Sequence, residues 1–395
     1  MITRRILRSG LSILLGTWVL ILFSCNSEQN STENTEDISY ELVKIDSFEV
    51  ENFTQVLIRD YSPEEKRYLG YSMVEDEILE ISKTGEIIKR VKKKGEGPGL
   101  YGNWNPIGLT FGPKGLRVAE LPFTIFAYDS AYNVVHEQRI QSPLPIRTFG
   151  PMGKPPYYQI QDSTYFLVGP TNYLSAHFLI RDEVGRDTLQ NFYRINLETG
   201  DMQSVVPYRE NSIYFESENI YQELMTKSFL IDQESNELLL LHSLEKEIEI
   251  YELPGLTLKG TVPLNPREFL RYSPLPIETP GNDERVNKLR VMAGRNLDLI
   301  KIDTDFYLVK YYTGVSESEY QTRNEIDALY SPLSDPEEQG ILLVKNQKQL
   351  PIELPSIQGT ILFGLGEGKF LVRENPNPEL EEEVTRFGIY QIKEI

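Results

Sequence analysis

The chain has 395 residues, of which 40% are hydrophobic and 11% aromatic, and its formal net charge at pH 7 is −19. This composition supplies enough apolar material for a folded core, which argues against an intrinsically disordered chain. The acidic balance repels phosphate backbones and anionic headgroups, so it argues against nucleic acid as a partner and against direct binding to a lipid surface.

The first 24 residues have the features of a secretory signal. Three arginines within residues 4–8 precede an apolar run over residues 11–23, and Cys25 follows Ser24. The run is shorter than a bilayer requires and is interrupted by Ser12 and Gly16, so a retained membrane-spanning anchor is the weaker alternative. A cysteine at the cleavage point predicts a bacterial lipoprotein signal over residues 1–24, with acyl chains attached to Cys25.

Cys25 is also the only cysteine in the chain. The folded part therefore has no thiol, which excludes disulfides, cysteine nucleophiles and thiolate metal sites there. Residues 26–37 contain no apolar side chain, so residues 25–38 are expected to form the lipidated cysteine and a flexible acidic tether. This predicts an outer membrane lipoprotein, and both the periplasmic face and the cell surface remain open as its location.

From Tyr40 onward the sequence is typical of an all-β protein. Short runs rich in Ile, Val, Leu, Tyr and Phe are separated by Gly, Pro, Asn and Asp. The runs group into six units, but the first and third show only three strands each. The strands predicted in these two units are Tyr68–Met73, Glu77–Ser82, Glu86–Val91, Tyr165–Gly169, Phe192–Asn196 and Met202–Val206.

Recurring four-strand units predict a six-bladed β-propeller over residues 39–395 as a single domain. The last unit is one strand short, and Tyr40–Val50 is a spare strand that would complete it and close the ring. Three longer stretches have apolar residues at helical spacing, so they are expected to be short helical insertions that cap one face. These stretches are Ser217–Lys227, Asn282–Arg295 and Glu317–Tyr330.

A glycine-rich segment follows the first unit. Gly95, Gly97, Pro98 and Gly99 precede Tyr101 and an Asn-containing turn. A phosphate-binding loop would continue with Lys-Ser/Thr and a helix, which are missing, so a tight connection between blades is the preferred interpretation.

The same segment carries a family resemblance. It resembles the Gly-x-Gly-Pro-Gly segment that follows the first blade in six-bladed, TolB-like propeller lipoproteins of Bacteroidota, a family of unknown function. The likeness extends to the lipoprotein signal, the polar tether and the chain length. The resemblance implies a propeller fold and a cell-envelope location, and it carries over no catalytic residues.

Several other motifs have structural interpretations. The segment Gly364–Gly368 is predicted to be a hairpin turn, and His242 is predicted to be a buried structural histidine. The carboxylates of Asp303 and Asp305 could bind calcium, but a tight turn is preferred. The basic cluster over residues 89–94 is predicted to protect an exposed outer strand.

Aromatic residues next to amides are the strongest binding signal, because a ring face stacks on a sugar or peptide while the amide donates and accepts hydrogen bonds. This predicts ligand contacts from Tyr101, Asn103, Trp104 and Tyr173. The preferred function is a lipid-anchored binding or assembly module for a glycan, a peptide or an envelope protein, with no cofactor and no metal. The alternative is a calcium-dependent hydrolase or lyase whose site lies in the central channel.

Overall fold

Six four-stranded antiparallel sheets, the blades of a β-propeller, are formed by the part of the chain that the structure describes. This computed structural model describes residues 39–140, 153–168, 190–214, 218–222, 224–327, 330–377 and 383–395. The predicted all-β, six-bladed architecture is confirmed.

Each blade begins with its innermost strand, and the first strand of the chain, β1, belongs to the last blade. Blade 1 contains β2 (Val56–Ser62), β3 (Arg67–Ser72), β4 (Glu77–Ser82) and β5 (Ile87–Lys92). Blade 2 contains β6 (Gly108–Phe111), β7 (Arg117–Leu121), β8 (Thr124–Tyr128) and β9 (Val134–Arg139). Blade 3 contains β10 (Tyr157–Ile160), β11 (Ser163–Val168), β12 (Gln190–Asn196) and β13 (Met202–Pro207).

Blades 4 to 6 follow the same order, and a short two-stranded sheet takes one strand from before blade 4 and one from after it. That sheet pairs β14 (Asn219–Ile220) with β19 (Leu275–Pro276). Blade 4 contains β15 (Lys227–Asp232), β16 (Glu237–His242), β17 (Glu247–Glu252) and β18 (Thr257–Pro263). Blade 5 contains β20 (Arg295–Asp303), β21 (Phe306–Tyr312), β22 (Gln339–Lys345) and β23 (Lys348–Pro355). Blade 6 contains β24 (Thr360–Gly366), β25 (Lys369–Arg373), β26 (Val384–Glu394) and β1 (Tyr40–Glu51).

The two ends of the described chain close the ring. β1 pairs antiparallel with β26 from Tyr40 opposite Glu394 to Glu51 opposite Val384. Val50 on β1 is fully buried, and it packs with residues of blades 1 and 6. The predicted closure by the N-terminal strand is therefore confirmed, because β1 supplies the fourth strand of blade 6 and joins the two ends of the described chain in one sheet.

The structure adds two innermost strands that the sequence did not indicate. β2 carries Arg59 and Asp60 in its middle, and these charges interrupt the apolar pattern that marks a strand. β10 has only four residues, which is short for recognition by periodicity. Both strands line the centre of the propeller, so polar side chains are explained by their position in the channel.

Two of the three predicted helical insertions are helices. They are α1 (Glu284–Met292), which Asp283 caps at its N-terminus, and α2 (Glu317–Ile326), which begins with a capping box between Ser316 and Glu319. The expected helix at Ser217–Lys227 is wrong, because Asn219–Ile220 is a strand paired with Leu275–Pro276. Ile220 and Leu224 are buried there against α1 residue Leu289, so their spacing marks a packed loop rather than a helix.

Blades 1 and 2 are joined by a buried ion cluster beneath their aromatic core. Glu80 on β4 accepts hydrogen bonds from Arg117 Nε on β7 and from Arg67 Nη1, both at 2.9 Å. Arg117 also pairs with Glu65, at 2.5 Å between Nη2 and Oε2. Burial alone would raise the pKa of Glu80, but hydrogen bonds from the two arginines outweigh it and hold that pKa below its ordinary value.

Three turn and edge features have the structural positions that were predicted for them. Gly364–Gly368 lies at the hairpin between β24 and β25, and Asp303 and Asp305 flank the turn between β20 and β21. Residues 89–92 of the basic cluster lie on β5, the outermost strand of blade 1. Lys89 Nζ donates to the carbonyl of Ser130, at 2.7 Å.

Candidate functional site: the central channel

The innermost strands of the six blades surround a channel with a volume of about 1860 Å³. Its wall takes residues from every blade, including Arg59, Glu120, Tyr157, Asp298 and Arg373. Sites of this size exceed the usual volume of a pocket for a drug-sized molecule, roughly 300–1,000 Å³. The channel therefore has room for a ligand of several rings.

The channel has two distinct ends. We call the face at which the innermost strands begin the upper face; it also carries the turns between the second and third strands of each blade. Tyr40 lies on the opposite, lower face, because β1 runs upward as an outermost strand. There its ring lies 6.0 Å from that of Phe306, which follows the turn between β20 and β21. The N-terminal end of β1 therefore lies on the lower face.

Apolar side chains are exposed on the upper face beside blades 1 and 2. Trp104 is 56% exposed, and its ring centroid lies 5.8 Å from that of Phe123 in an edge-on arrangement. Met73, in the turn between β3 and β4, is also exposed, and all three side chains line the channel. Exposed aromatic rings at the mouth of a concave site are typical of ligand contacts. We call Met73, Trp104 and Phe123 the apolar rim.

The glycine-rich connection positions this rim. Gly95, Gly97 and Gly99 have φ values of +133°, +134° and +75°, which side chains would strain. Gly95 and Gly102 exchange two backbone hydrogen bonds, each 2.9 Å long. Lys94 Nζ donates to Asn105 Oδ1 at 2.8 Å, so the segment that carries Trp104 is held at both ends.

Of the four residues predicted to contact a ligand, two line the channel, one is buried in the core and one lies outside the described residues. Asn103 and Trp104 line the upper end of the channel. Tyr101 is only 5% exposed, and its hydroxyl lies 3.3 Å from that of Tyr71 in the core between blades 1 and 2. Its side chain therefore packs inside the protein and does not line the channel. Tyr173 lies outside the described residues.

Two arginines lie on the channel wall. Arg59 comes from β2, and Arg373 ends β25 next to Thr360, the first residue of β24. Burial lowers the pKa of both guanidinium groups, and for Arg59 repulsion by Arg373 adds to the effect and brings its pKa to about 10. Both groups are charged at neutral pH, so they give the wall a positive character.

A lysine that lines the channel is paired with an aspartate. Lys154 Nζ lies 2.6 Å from Asp60 Oδ1. The other oxygen of Asp60 accepts hydrogen bonds from the hydroxyl of Thr110 and the amide of Phe111, both at 2.8 Å. Asp60 therefore ties β2 to blade 2 and to the segment that enters blade 3, which is a structural role.

Two carboxyl groups line the channel in less polar surroundings. Burial raises the pKa of Glu120 to about 8, so this side chain is mostly protonated at neutral pH. Burial also raises the pKa of Asp298, to about 6, although Lys310 and Arg59 favour its charged form. A neutral Glu120 can donate a hydrogen bond or a proton to a bound ligand, and it adds no negative charge to the upper channel at pH 7.

A half-buried lysine and a buried histidine lie beside the upper channel. Lys227 begins β15 directly opposite His242 on β16, and its ammonium lies over the ring of Phe192 at 4.7 Å. Burial lowers the pKa of Lys227 to about 7 and holds that of His242 well below its ordinary value. The ring of His242 is buried 5.2 Å from that of Tyr208. It is therefore a neutral core residue, as its apolar strand predicts.

The calcium alternative finds no ready ligand set in the described residues. Among residues 39–140, 153–168 and the later described ranges, no group of three or more histidines, cysteines, aspartates and glutamates could hold a metal ion.

None of the described helices is long and apolar enough to cross a membrane.

The most informative site residues could not be found in the sequence. Arg59, Arg373, Glu120 and Asp298 come from blades 1, 6, 2 and 5. No spacing relates them along the chain, because only closure of the ring brings their strands around one axis. The one available signal is a charged residue inside a strand, as in β2.

Comparisons with solved structures support the same architecture. A member of the DUF4221 family from Bacteroides vulgatus superimposes with a TM-score of 0.60 at 12% identity, covering 90% of this chain and 99% of the other. An exported-protein candidate from Bacteroides fragilis gives a TM-score of 0.51 at 10% identity, covering 91% and 95%. The expected resemblance to six-bladed propeller proteins of Bacteroidota is confirmed at the level of the fold. A scan of protein-family models and a search of curated proteins find no match.

Proposed function

We propose that this protein is a lipid-anchored binding module of the bacterial cell envelope, and that its ligand enters the central channel from the upper face. The observation that carries the proposal is the apolar rim, where Trp104 is exposed beside a channel of about 1860 Å³. A large apolar ring in water is costly unless a ligand covers it, and a channel gives that ligand further contacts.

Polar groups beside the rim suit a glycan or a peptide. Asn103 and Asn105 lie on either side of Trp104 and line the channel. Their amides can donate to and accept from hydroxyl or peptide groups while the indole face packs on the apolar part of the ligand. The indole ring and the amides together would hold a ligand in one orientation, and the rigid blades keep these groups in place.

The anchor in this proposal is the set of acyl chains on Cys25, and the signal-like sequence over residues 1–24 supports it. Each buried methylene contributes about 0.8 kcal/mol to membrane binding, so two or three chains hold the protein firmly.

The anchor is tested by Cys25→Ala. We expect labelled fatty acid supplied in culture to appear on the wild-type protein and on Ser27→Ala, the control, and to be absent from Cys25→Ala. Cys25→Ala is also expected to leave the membrane fraction, because in this proposal the acyl chains on Cys25 are what anchors the protein. Labelling that survives in Cys25→Ala would overturn the anchor.

The binding site is tested by Trp104→Ala on immobilised arrays of neutral and acidic glycans and of peptides. For the array members that bind the wild type, we expect Trp104→Ala to weaken the affinity about 10-fold, since truncation of an aromatic anchor typically costs more than about 1 kcal/mol. The matched control is Ile326→Ala, an exposed apolar residue that ends α2 and does not line the channel. Arrays that show no binding at all would contradict the proposed function.

A further inference from the structure

Within the described part of the chain, the two channel arginines, both half-buried, have no carboxylate in an ion pair with them. The Nε of Arg59 is buried without a hydrogen-bond partner. No carboxylate among the described residues lies within ion-pair distance of Arg59 or Arg373. Elsewhere this protein does pair such a group, since Arg117 is bonded to both Glu80 and Glu65. The channel arginines are therefore an exception that calls for an explanation.

Arg373 is held in place by neutral groups. Its Nη1 donates to Gln55 Oε1 at 3.1 Å and its Nη2 to Thr360 Oγ1 at 3.3 Å. Gln55 immediately precedes β2, and Thr360 begins β24, so both neighbouring blades orient the guanidinium. These acceptors fix its position without cancelling its charge, which leaves the charge available to a ligand.

The surrounding charges favour an anion at this point. The charged groups that act on Arg59 are Arg373, which repels it, and Asp298, which attracts it from β20. Asp298 is itself shared with Lys310. Lys154 is already paired with Asp60, and burial keeps Glu120 mostly neutral at pH 7. Two guanidinium charges thus face this part of the channel, and Asp298 is the carboxylate that acts on Arg59.

We propose that Arg59 and Arg373 together bind an oxyanion group, a carboxylate or a sulfate, on an acidic oligosaccharide whose sugar rings extend to Trp104. Planar guanidinium forks match such groups with two hydrogen bonds each. The channel volume of about 1860 Å³ accommodates several rings between the arginines and the rim. This inference rests on the proposed function, because it specifies the chemistry of the ligand for the same channel.

The test is calorimetric titration of the protein with four probes. These are tetragalacturonate, which carries carboxylates, a κ-carrageenan tetrasaccharide, which carries sulfates and no carboxylate, the neutral sugar maltotetraose, and tetraglutamate as an acidic peptide. We expect at least one acidic sugar to bind at least 10-fold more tightly than maltotetraose, and the stronger of the two identifies the oxyanion. Arg59→Gln and Arg373→Gln are each expected to reduce its affinity about 10-fold or more, since hydrogen bonds between charged groups contribute about 1.5–3 kcal/mol.

The controls separate this inference from the proposed function. Arg90→Gln, which removes an exposed arginine on β5, is expected to leave all affinities unchanged, and thermal unfolding checks that each variant is folded. Suppose that neutral sugars bind through Trp104 and that both arginine variants bind acidic sugars as tightly as the wild type does. This result would overturn the oxyanion site and leave the proposed function standing. Tetraglutamate binding that depends on the arginines, without binding of either acidic sugar, would also overturn the inference. If no probe binds and the arrays are silent, the proposed function itself fails.

Discussion

Arg117→Met is expected to lower the free energy of unfolding by about 3–5 kcal/mol, because it leaves the carboxylate of Glu80 buried without its main partner. The side chain of Glu80 is fully buried, and that of Arg117 is 3% exposed. The two belong to blades 1 and 2, so the loss weakens the contact between the blades as well as the ion pair. Urea unfolding followed by far-UV circular dichroism measures the change.

Two comparisons show whether the pair has this role. The double variant with Glu80→Gln and Arg117→Met is expected to recover at least half of the lost stability, because no unpaired charge then remains buried. Arg90→Met removes a similar pair at the surface, between Arg90 and Glu77 at 3.2 Å, and is expected to cost less than about 1 kcal/mol. Equal losses for Arg117→Met and Arg90→Met would show that the buried cluster does not stabilise the contact between blades.

Glu120→Gln is expected to stabilise the protein at alkaline pH and to have little effect at acidic pH. The folded-state pKa of Glu120, about 8, lies above the ordinary value of 4.5 because burial disfavours the carboxylate. The stability that depends on the neutral form is therefore complete below about pH 4.5 and is lost as the pH rises through about 8. Glutamine stays neutral throughout, so the variant avoids this loss.

The measurement is the difference in unfolding free energy between Glu120→Gln and the wild type from about pH 5 to pH 9. We expect the difference to grow by about 2–4 kcal/mol across this range. This is somewhat less than the pKa shift of Glu120 from 4.5 to about 8 would give, since channel water solvates part of the carboxylate. Glu137→Gln on the outer strand β9 is the control for the substitution itself, because Glu137 is exposed and does not line the channel. A flat difference for Glu120→Gln would show that the carboxylate is well solvated in the channel.

The repeating part of the fold could be predicted from the sequence because each blade carries its own local signals. Blades 4 and 5 have four apolar runs each, separated by turns, and their strands match β15 to β18 and β20 to β23. The closing strand was predictable as well, since the last unit lacked one strand and Tyr40–Val50 had no partner. These inferences use periodicity and turn residues, which lie close together along the chain.

Other parts depend on packing between distant segments. The stretch after Ser217 has helical spacing, but tertiary packing against α1 fixes it as a strand and a loop. Tyr101 and Trp104 are three residues apart in one loop, and the sequence gives no sign that the first is buried and the second exposed. The backbone amide of Tyr101 bonds the carbonyl of Lys93, which directs that ring into the core.

The charged wall of the channel was beyond sequence reasoning for a related cause. Arg59 and Arg373 are 314 positions apart, and they approach each other only because blade 6 lies beside blade 1. Local patterns cannot report a contact that ring closure creates. Polar residues inside an innermost strand are the feature that would direct attention to such a wall in another propeller.

The most direct test of the channel as the ligand site uses Trp104 itself. A chain that begins at Cys25 contains Trp104 as its only tryptophan, since the other, Trp18, lies in the predicted signal peptide. Its fluorescence therefore reports only on the rim. The protein is titrated with the tetrasaccharide that binds most tightly by calorimetry. We expect the Trp104 emission to shift to shorter wavelength and to saturate, and the ligand concentration at half-saturation should match the dissociation constant from calorimetry. Binding by calorimetry with an unchanged emission would place the ligand elsewhere and contradict this account.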